Sequence, residues 1–197
     1  MASSSRRLTP LAPADFSPEA ADLLGATLSR VAALEGQESA PEPQILNILR
    51  TLAHHPKLLG PFLGFATALA GGALPRRSSE LLALRAAWNC GSDFEWGHHV
   101  VYARAAGLGD DEIAAIGEGP AAPGWSEGDR LLLQAADELH AGHDLADETW
   151  RALERAYSAD QLVEIPFVVG QYTMLAMVAN ATGVPLEDGL EALPSRR

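Results

Sequence analysis

The sequence is poor in several features that whole classes of protein require. Its 197 residues include a single cysteine, Cys90, so neither an intrachain disulfide nor a paired-cysteine redox motif can form. Lysine and arginine number 14 against 26 aspartates and glutamates, and the net charge of -12 argues against nucleic acids and anionic membranes as partners. Residues 1–17 lack the apolar run of a signal peptide. Together these absences favour a cytoplasmic protein.

Signs of β-structure are also missing, because no stretch alternates apolar and polar residues over the length of a strand. Alanine and leucine dominate instead, and proline and glycine separate the helical patterns. We predict an all-α fold with one domain over residues 17–190, preceded by a flexible Ser/Pro-rich segment, 1–16. The predicted helices cover 17–34, 43–54, 58–72, 75–90, 92–106, 110–116, 126–140, 147–157 and 158–181.

One segment, residues 165–186, contains no charged residue and is long enough to cross a bilayer. It also carries Pro166, Gly170, Gln171 and Asn180, and it has no flanking basic anchor. We therefore expect a buried core helix and no membrane partner.

The fifth predicted helix carries a polar face. Four polar residues recur at i, i+3, i+7 and i+10, which places them on one side: Ser92, Glu95, His99 and Tyr102. A weaker polar edge is the expected solvent side: Asp93, Gly97, Val100 and Arg104. The first face must then look into the interior, a pocket or a neighbouring subunit, where polar groups need partners or a ligand.

Glu80, on the preceding helix, shares a face with Leu84, Ala87 and Trp88, so its carboxylate is not freely solvated. A glutamate and a histidine in such surroundings can exchange a proton near neutral pH, as general acid/base catalysis requires. Spacing alone allows a structural alternative, in which Glu80 and His99 form a buried hydrogen bond that joins two helices.

Two runs of sequence carry a resemblance to a known family. They are Pro75-Arg76-Arg77-Ser78-Ser79-Glu80-Leu81-Leu82-Ala83-Leu84-Arg85 and Cys90-Gly91-Ser92-Asp93-Phe94-Glu95-Trp96-Gly97-His98-His99. Residues 47–56 and 105–113 add to the similarity, which spans about residues 41–186. The sequence resembles the carboxymuconolactone decarboxylase-like family, which is built on the alkyl hydroperoxidase D fold.

The resemblance implies that fold, with about eight to nine helices, and a homo-oligomer that is a trimer or a multiple of one. In the peroxidase branch, a glutamate, a CxxC pair and a histidine form a proton relay to a redox thiol. Here the relay ends match Glu80 and His99, whereas the two cysteine positions hold Ser92 and Glu95. The sequence is therefore more similar to the decarboxylase-type branch, in which acid/base chemistry is expected.

That branch implies a cofactor-independent, decarboxylase-like lyase acting on a small cyclic lactone or carboxylic acid. By this resemblance His99 is the proton donor, Glu80 its orienting partner and Glu95 a second catalytic carboxylate. Arg85 could bind the substrate carboxylate, or equally form a salt bridge to Glu80 or another acid. Further candidates for substrate binding are Ser92, Tyr102 and Tyr172.

Three alternatives remain open. Glu95-x-x-His98 and Asp137-x-x-His140-x-x-His143 have metal-ligand spacing, but a di-metal site needs four such helices, so we expect no metal. Cys90 could serve an antioxidant peroxidase if it were exposed and reactive, although an inert buried thiol is the simpler interpretation. A fully paired Glu80 and His99 with no adjoining cavity would instead indicate a non-catalytic helical scaffold.

Overall fold

The computed structural model describes residues 7–35 and 45–195. Within these ranges the chain forms nine α-helices, two short 3-10 turns and no strand, which confirms the predicted all-α class. The helices are α1 (Pro18–Glu35), α2 (Asn47–Leu52), α3 (Pro56–Ala70), α4 (Arg76–Cys90), α5 (Asp93–Ala105), α6 (Asp110–Ala115), α7 (Glu127–Gly142), α8 (Asp147–Ala156) and α9 (Ala159–Thr182).

Local capping residues set the junction between α4 and α5. Gly91 ends α4 in the left-handed conformation (φ 62°), and the Ser92 hydroxyl accepts a hydrogen bond from the Glu95 amide at the start of α5. The second helix is shorter than predicted, because it begins at Asn47; residues 43 and 44 lie outside the described part of the chain. The α4–α5 junction is therefore tight, and it fixes the two helices that carry Glu80 and His99.

Helix α4 forms the centre of the fold. Residues 80–87 are all buried, so this helix is covered on every side, as expected for a helix at the core of a bundle. It packs against α5, α7 and α9, and the apolar core joins residues of all four helices. A polar side chain on α4 is consequently placed inside the protein unless it lies near an end of the helix.

The N-terminal residues 7–16 form hydrogen bonds to other parts of the chain. The Arg7 and Leu8 amides both donate to the Thr182 carbonyl at 3.0 Å, and the Arg50 guanidinium donates to the Leu11 carbonyl at 2.6 Å. These backbone groups thus have partners on α2 and at the end of α9, and the flexibility expected of residues 1–16 stays a prediction. Residues 1–6 of that predicted segment lie outside the described residues.

The C-terminal segment 183–195 corrects the expected solvent side of α5. Leu186 and the Glu191 carbonyl crowd Gly97, and the Leu193 amide donates to Asp93 at 3.1 Å. Val100 is fully buried in the main core. Of the four residues on that edge, Asp93 and Arg104 are exposed and the other two are covered.

Helix α9 is long and apolar enough to cross a membrane by length and composition, which is weak evidence on its own. One side of it, including Ile165, Val168 and Ala176, lies in the core. The opposite side is apolar and exposed. Helix α9 is therefore a core helix on one face and carries an uncovered apolar stripe on the other.

Candidate active site

A buried hydrogen bond joins α4 to α5. His99 Nδ1 lies 2.6 Å from Glu80 Oε2, and both side chains are almost completely buried. Because a carboxylate can only accept, Nδ1 carries the hydrogen in this pair and Nε2 is left for other chemistry. The structure thus brings together the two residues predicted to form the acid/base pair.

The second oxygen of Glu80 is bound by a cation that sequence reasoning missed. Arg76 NH2 lies 2.7 Å from Glu80 Oε1, one helical turn earlier on α4. The (i, i+4) spacing could have indicated this pair, since oppositely charged residues four apart are neighbours on a helix. Glu80 is therefore shared between a half-exposed guanidinium and a buried imidazole.

Glu95 lies on the other side of the imidazole. Its Oε2 is 3.7 Å from His99 Nε2, which is too long for a hydrogen bond, and its Oε1 is buried with no hydrogen-bond partner. Burial raises the pKa of Glu95, although the nearby His99 and His98 counteract part of this effect. His99 thus stands between two carboxyl groups, one bonded to it and one facing it across a gap.

Ser92 explains why Glu95 points into the site. The Ser92-x-x-Glu95 spacing matches a capping box, in which the glutamate would turn back to the serine amide. That amide already donates to the Ala87 carbonyl at 3.0 Å, as part of the turn that ends α4. The Glu95 side chain is therefore not needed at the cap, and the buried Ser92 acts as the cap of α5 through its bond to the Glu95 amide.

Two tyrosines flank the imidazole. The Tyr172 ring meets His99 edge-on at 4.3 Å between centroids, and the Tyr102 ring does so at 5.4 Å. Burial raises the pKa of both phenols, and the charges of Glu80 and Glu95 raise it further, so both keep their hydrogens at neutral pH. Neighbouring Gln171 is buried, and its side-chain carbonyl oxygen has no partner.

Arg85 is the predicted substrate-binding residue that the structure places elsewhere. Its guanidinium binds both oxygens of Asp137, at 2.6 and 2.8 Å, and donates to the Ile116 carbonyl. Of the two roles that the sequence left open, the salt bridge to another acid is the one observed. The reason is helix periodicity: Arg85 lies five residues after Glu80, so it points to α7, whereas Glu80 points to α5.

The residues with metal-ligand spacing have other partners. His98 Nε2 lies 2.6 Å from Glu187 Oε2 of the C-terminal segment, and Asp137 is bound to Arg85 and Asn89. Within the described ranges, no group of three or more histidine, cysteine or acidic side chains is placed to hold a metal ion. His98 was not a predicted site residue, but it lies beside Glu95 and influences its pKa.

Cys90 lies at the end of α4 and is only partly buried. Its sulfur is 3.8 Å from His140 Nδ1 on α7, and the Asn180 side chain donates to its carbonyl. The expectation of a fully buried thiol is not met. Its described contacts are with α7 and α9 residues other than those around His99.

One family model matches the part of the chain that carries this site. Residues 56–138 match the model of the carboxymuconolactone decarboxylase family, and this range includes Glu80, Glu95 and His99. Over this range the chain is similar to the carboxymuconolactone decarboxylase family. No curated protein matches the chain by sequence.

Solved structures show the same fold. An uncharacterized peroxidase-related protein from Ralstonia eutropha JMP134, described as an alkylhydroperoxidase AhpD core, has a TM-score of 0.75 at 17% identity, with 92% of each chain covered. The debrominase Bmp8, crystallised as a variant in complex with 2,3,4-tribromopyrrole, has a TM-score of 0.72 at 19% identity, covering 92% of this chain and 91% of that one. A candidate antioxidant defence protein AhpD from Agrobacterium tumefaciens has a TM-score of 0.65 at 20% identity, covering 69% of this chain and 94% of that one. The alkyl hydroperoxidase D fold predicted from the sequence is thereby confirmed.

We expect Glu95→Gln to raise the melting temperature at pH 8 and to change it little near pH 4. Burial raises the pKa of Glu95, so the folded state disfavours the ionised carboxylate. The protein therefore loses stability as the pH rises above the pKa that Glu95 has in the unfolded chain. The amide is isosteric and cannot ionise, and each kcal/mol gained moves the melting temperature by about 2–4 °C in a chain of this size. Thermal unfolding between pH 4 and 8 measures the difference.

Glu154→Gln is the control for this experiment, since Glu154 is exposed on α8. Its melting temperature should follow that of the unmodified chain at every pH. A Glu95→Gln variant that loses more stability at pH 8 than at pH 4 would show that ionised Glu95 stabilises the fold.

Proposed function

We propose that this protein is a small-molecule acid/base enzyme, a decarboxylase-like lyase that acts on a small cyclic lactone or carboxylic acid. The observation that carries the proposal is the position of His99, which is bonded to Glu80 through Nδ1 and faces Glu95 through Nε2. A structural histidine would have both nitrogens satisfied. Here Nε2 has Glu95 Oε2 at 3.7 Å, beyond hydrogen-bond distance, and Glu95 Oε1 is buried with no hydrogen-bond partner.

The chemistry follows from this geometry. Loss of CO₂ from an unsaturated acid leaves an electron pair on carbon, which must receive a proton. In the proposed step the Nε2–H bond of a protonated His99 breaks, and its proton forms the new C–H bond. Glu80 stabilises the protonated imidazole. Glu95, whose raised pKa favours the carboxylic acid, gives its proton to Nε2 after the transfer and takes another from solvent water before the next cycle.

The tyrosines suit the second requirement, which is to stabilise negative charge on oxygen. A carbanion next to a carbonyl places charge on that oxygen, and fixed neutral donors stabilise it best when water is excluded. Tyr172 and Tyr102 keep their hydrogens because burial raises the pKa of each phenol. We assign them to this oxygen, with Tyr172 the more deeply placed of the two.

A ligand complex of a protein with a similar fold supports the proposal of a small substrate. Bmp8, which shares this architecture, is a debrominase crystallised with a small brominated heterocycle. A fold that accommodates such a ring in one protein is compatible with a small cyclic acid in another. Screening the purified protein against cyclic lactone acids and their enols identifies the acid and distinguishes decarboxylation from isomerisation, hydrolysis or cyclisation.

An antioxidant role is the second candidate, and the contact of Cys90 with His140 is the observation that favours it. A histidine beside a thiol favours the reactive thiolate. Turnover would then need an external thiol to resolve the oxidised sulfur in every cycle, because Cys90 is the sole cysteine.

We also propose that the protein is a homo-oligomer, a trimer or a multiple of one, whose copies meet on α9. Its exposed face carries four large apolar side chains: Val163, Phe167, Met174 and Met177. A stripe of this kind on a globular protein marks a contact surface. A second copy fits better than an anionic membrane, because the chain carries a net charge of -12.

For the acid/base pair, we expect His99→Gln and Glu80→Gln each to lower turnover about a hundredfold to ten-thousandfold. The double variant should lose little more, since groups acting as one unit are non-additive. Turnover is measured on whichever cyclic lactone acid proves to be a substrate, alongside melting temperatures. Folded single variants with near-normal turnover would contradict the assignment, and Glu95 would then be the next residue to test.

For the thiol, we expect no sustained hydroperoxide turnover with thiol reductants, and no change on Cys90→Ser. The redox cysteine positions of the peroxidase branch hold Ser92 and Glu95 here, so the sulfur needed next to His99 is missing. A coupled peroxidase assay makes the comparison. If Cys90→Ser abolished a measurable turnover, the antioxidant role would replace the lyase.

For the assembly, we expect light scattering at micromolar concentration to give a multiple of 20.8 kDa. Phe167→Glu with Met177→Glu should lower the mass to that of one chain, because two buried charges of the same sign at the contact cannot pair. Trp150→Lys, on the exposed surface of α8, is the control and should leave the mass unchanged. An unmodified chain that is a monomer, or that sediments with uncharged vesicles, would overturn the proposal.

A further inference from the structure

Arg76 connects the buried site to solvent. It is the first residue of α4, its side chain is 52% exposed, and its guanidinium touches Glu80, whose side chain is 2% exposed. Glu80 in turn holds His99. The exposed guanidinium is therefore two contacts away from the buried imidazole.

The contact with Glu80 leaves several N–H donors of the Arg76 guanidinium without a described partner. Arginine can bind a carboxylate with two parallel N–H bonds, but the contact observed here joins Arg76 NH2 to Glu80 Oε1, while Oε2 accepts from His99. Among the described residues, no other acceptor is bonded to Arg76. Several of its five N–H donors therefore remain for a ligand.

Tyr102 fixes where those donors lie. The Arg76 guanidinium carbon sits 5.8 Å from the centre of the Tyr102 ring, and the edge of the same ring packs against His99. This cation–π contact holds the guanidinium at the rim of the site. An anion bound to this guanidinium would lie about the width of the Tyr102 ring from the imidazole.

Most of the charged groups near His99 are acidic, so the positive charge of Arg76 affects whether an anion can bind. The groups in contact with His99 are Glu80 on α4, Glu95 and Tyr102 on α5, and Tyr172 on α9. Arg76 contacts Glu80 and Tyr102 in this set, and the neighbouring His98 is paired with Glu187. Apart from the histidines, Arg76 is the one cation in this set. Without it, the Glu80 carboxylate would repel an anionic substrate from the site.

We propose that Arg76 is the residue that selects an anionic substrate, by binding its carboxylate with the N–H donors that Glu80 leaves unused. This rests on the proposed function in taking the bound anion to be the substrate. It replaces Arg85, which is committed to Asp137, in that role. Binding would place the rest of a small cyclic acid between the guanidinium and His99 Nε2.

The test measures binding of 2-furoate, a small cyclic carboxylate, and of its uncharged isostere 2-furamide, by NMR titration. We expect 2-furoate to bind at least about tenfold more tightly than 2-furamide. Arg76→Gln should remove that preference and leave 2-furamide binding unchanged, whereas Arg76→Lys, which keeps the charge but not the fork, should retain part of it. The tyrosine and histidine side-chain signals show whether the ligand is next to His99.

Arg151→Gln is the matched control, because Arg151 forms an exposed (i, i+4) pair with Asp147 on α8. It should bind both ligands like the unmodified protein. The preference for 2-furoate over 2-furamide is a readout that loss of fold would not change selectively, and Arg76→Lys serves if Arg76→Gln does not fold. Equal preference in Arg76→Gln and the unmodified protein, or no binding of 2-furoate at millimolar concentration, would overturn the proposal.

The result is independent of the lyase assignment. If Arg76→Gln loses the preference while the Glu80 and His99 variants keep full turnover, the anion site stands and the proton-transfer role fails. If Arg76→Gln keeps the preference while the Glu80 and His99 variants are inactive, the proton-transfer role stands and the anion site fails.

Discussion

The buried hydrogen bond between Glu80 and His99 is the constraint on which the other features of the site depend. A carboxylate at the centre of the core is costly unless it is paired, and removing one partner of a buried pair typically costs about 3–5 kcal/mol. Helices α4 and α5 must therefore meet at a fixed rotation, which the glycine turn at Gly91 and the serine cap at Ser92 provide. Once His99 Nδ1 is committed to Glu80, the other ring nitrogen can only face Glu95 and the tyrosines.

The sequence resemblance identifies two positions at which this chain differs from the peroxidase branch, and the structure shows what the side chains at these positions do. At the two positions where that branch carries cysteines, this chain has a cap residue and a buried carboxyl group. Both changes keep α5 intact, since Ser92 satisfies the Glu95 amide and leaves its side chain free. An acid with a raised pKa at the position of a thiol is consistent with the proton transfer that we propose.

The sequence predicted the all-α class and most helix limits because caps and helix breakers act locally. It also predicted that Glu80, Glu95 and His99 share one region, through helix periodicity and a family resemblance. It could not predict that residues 183–195 cover Gly97, nor that residues 7–16 bind α2 and α9, because these contacts join distant parts of the chain. Arg85 was ambiguous for a similar reason: its partner, Asp137, lies 52 residues away.

The tautomer of His99 tests the central claim most directly. If Glu80 holds Nδ1–H, then neutral His99 must have a protonated Nδ1 and a bare Nε2, and long-range ¹H–¹⁵N NMR distinguishes the two nitrogens by their chemical shifts. We expect that tautomer in the unmodified protein, and a mixture in Glu80→Gln, whose amide can donate as well as accept. A neutral His99 that carries its hydrogen on Nε2 in the unmodified protein would contradict the proposed proton-transfer unit, because Nδ1 would then have no hydrogen to donate to Glu80.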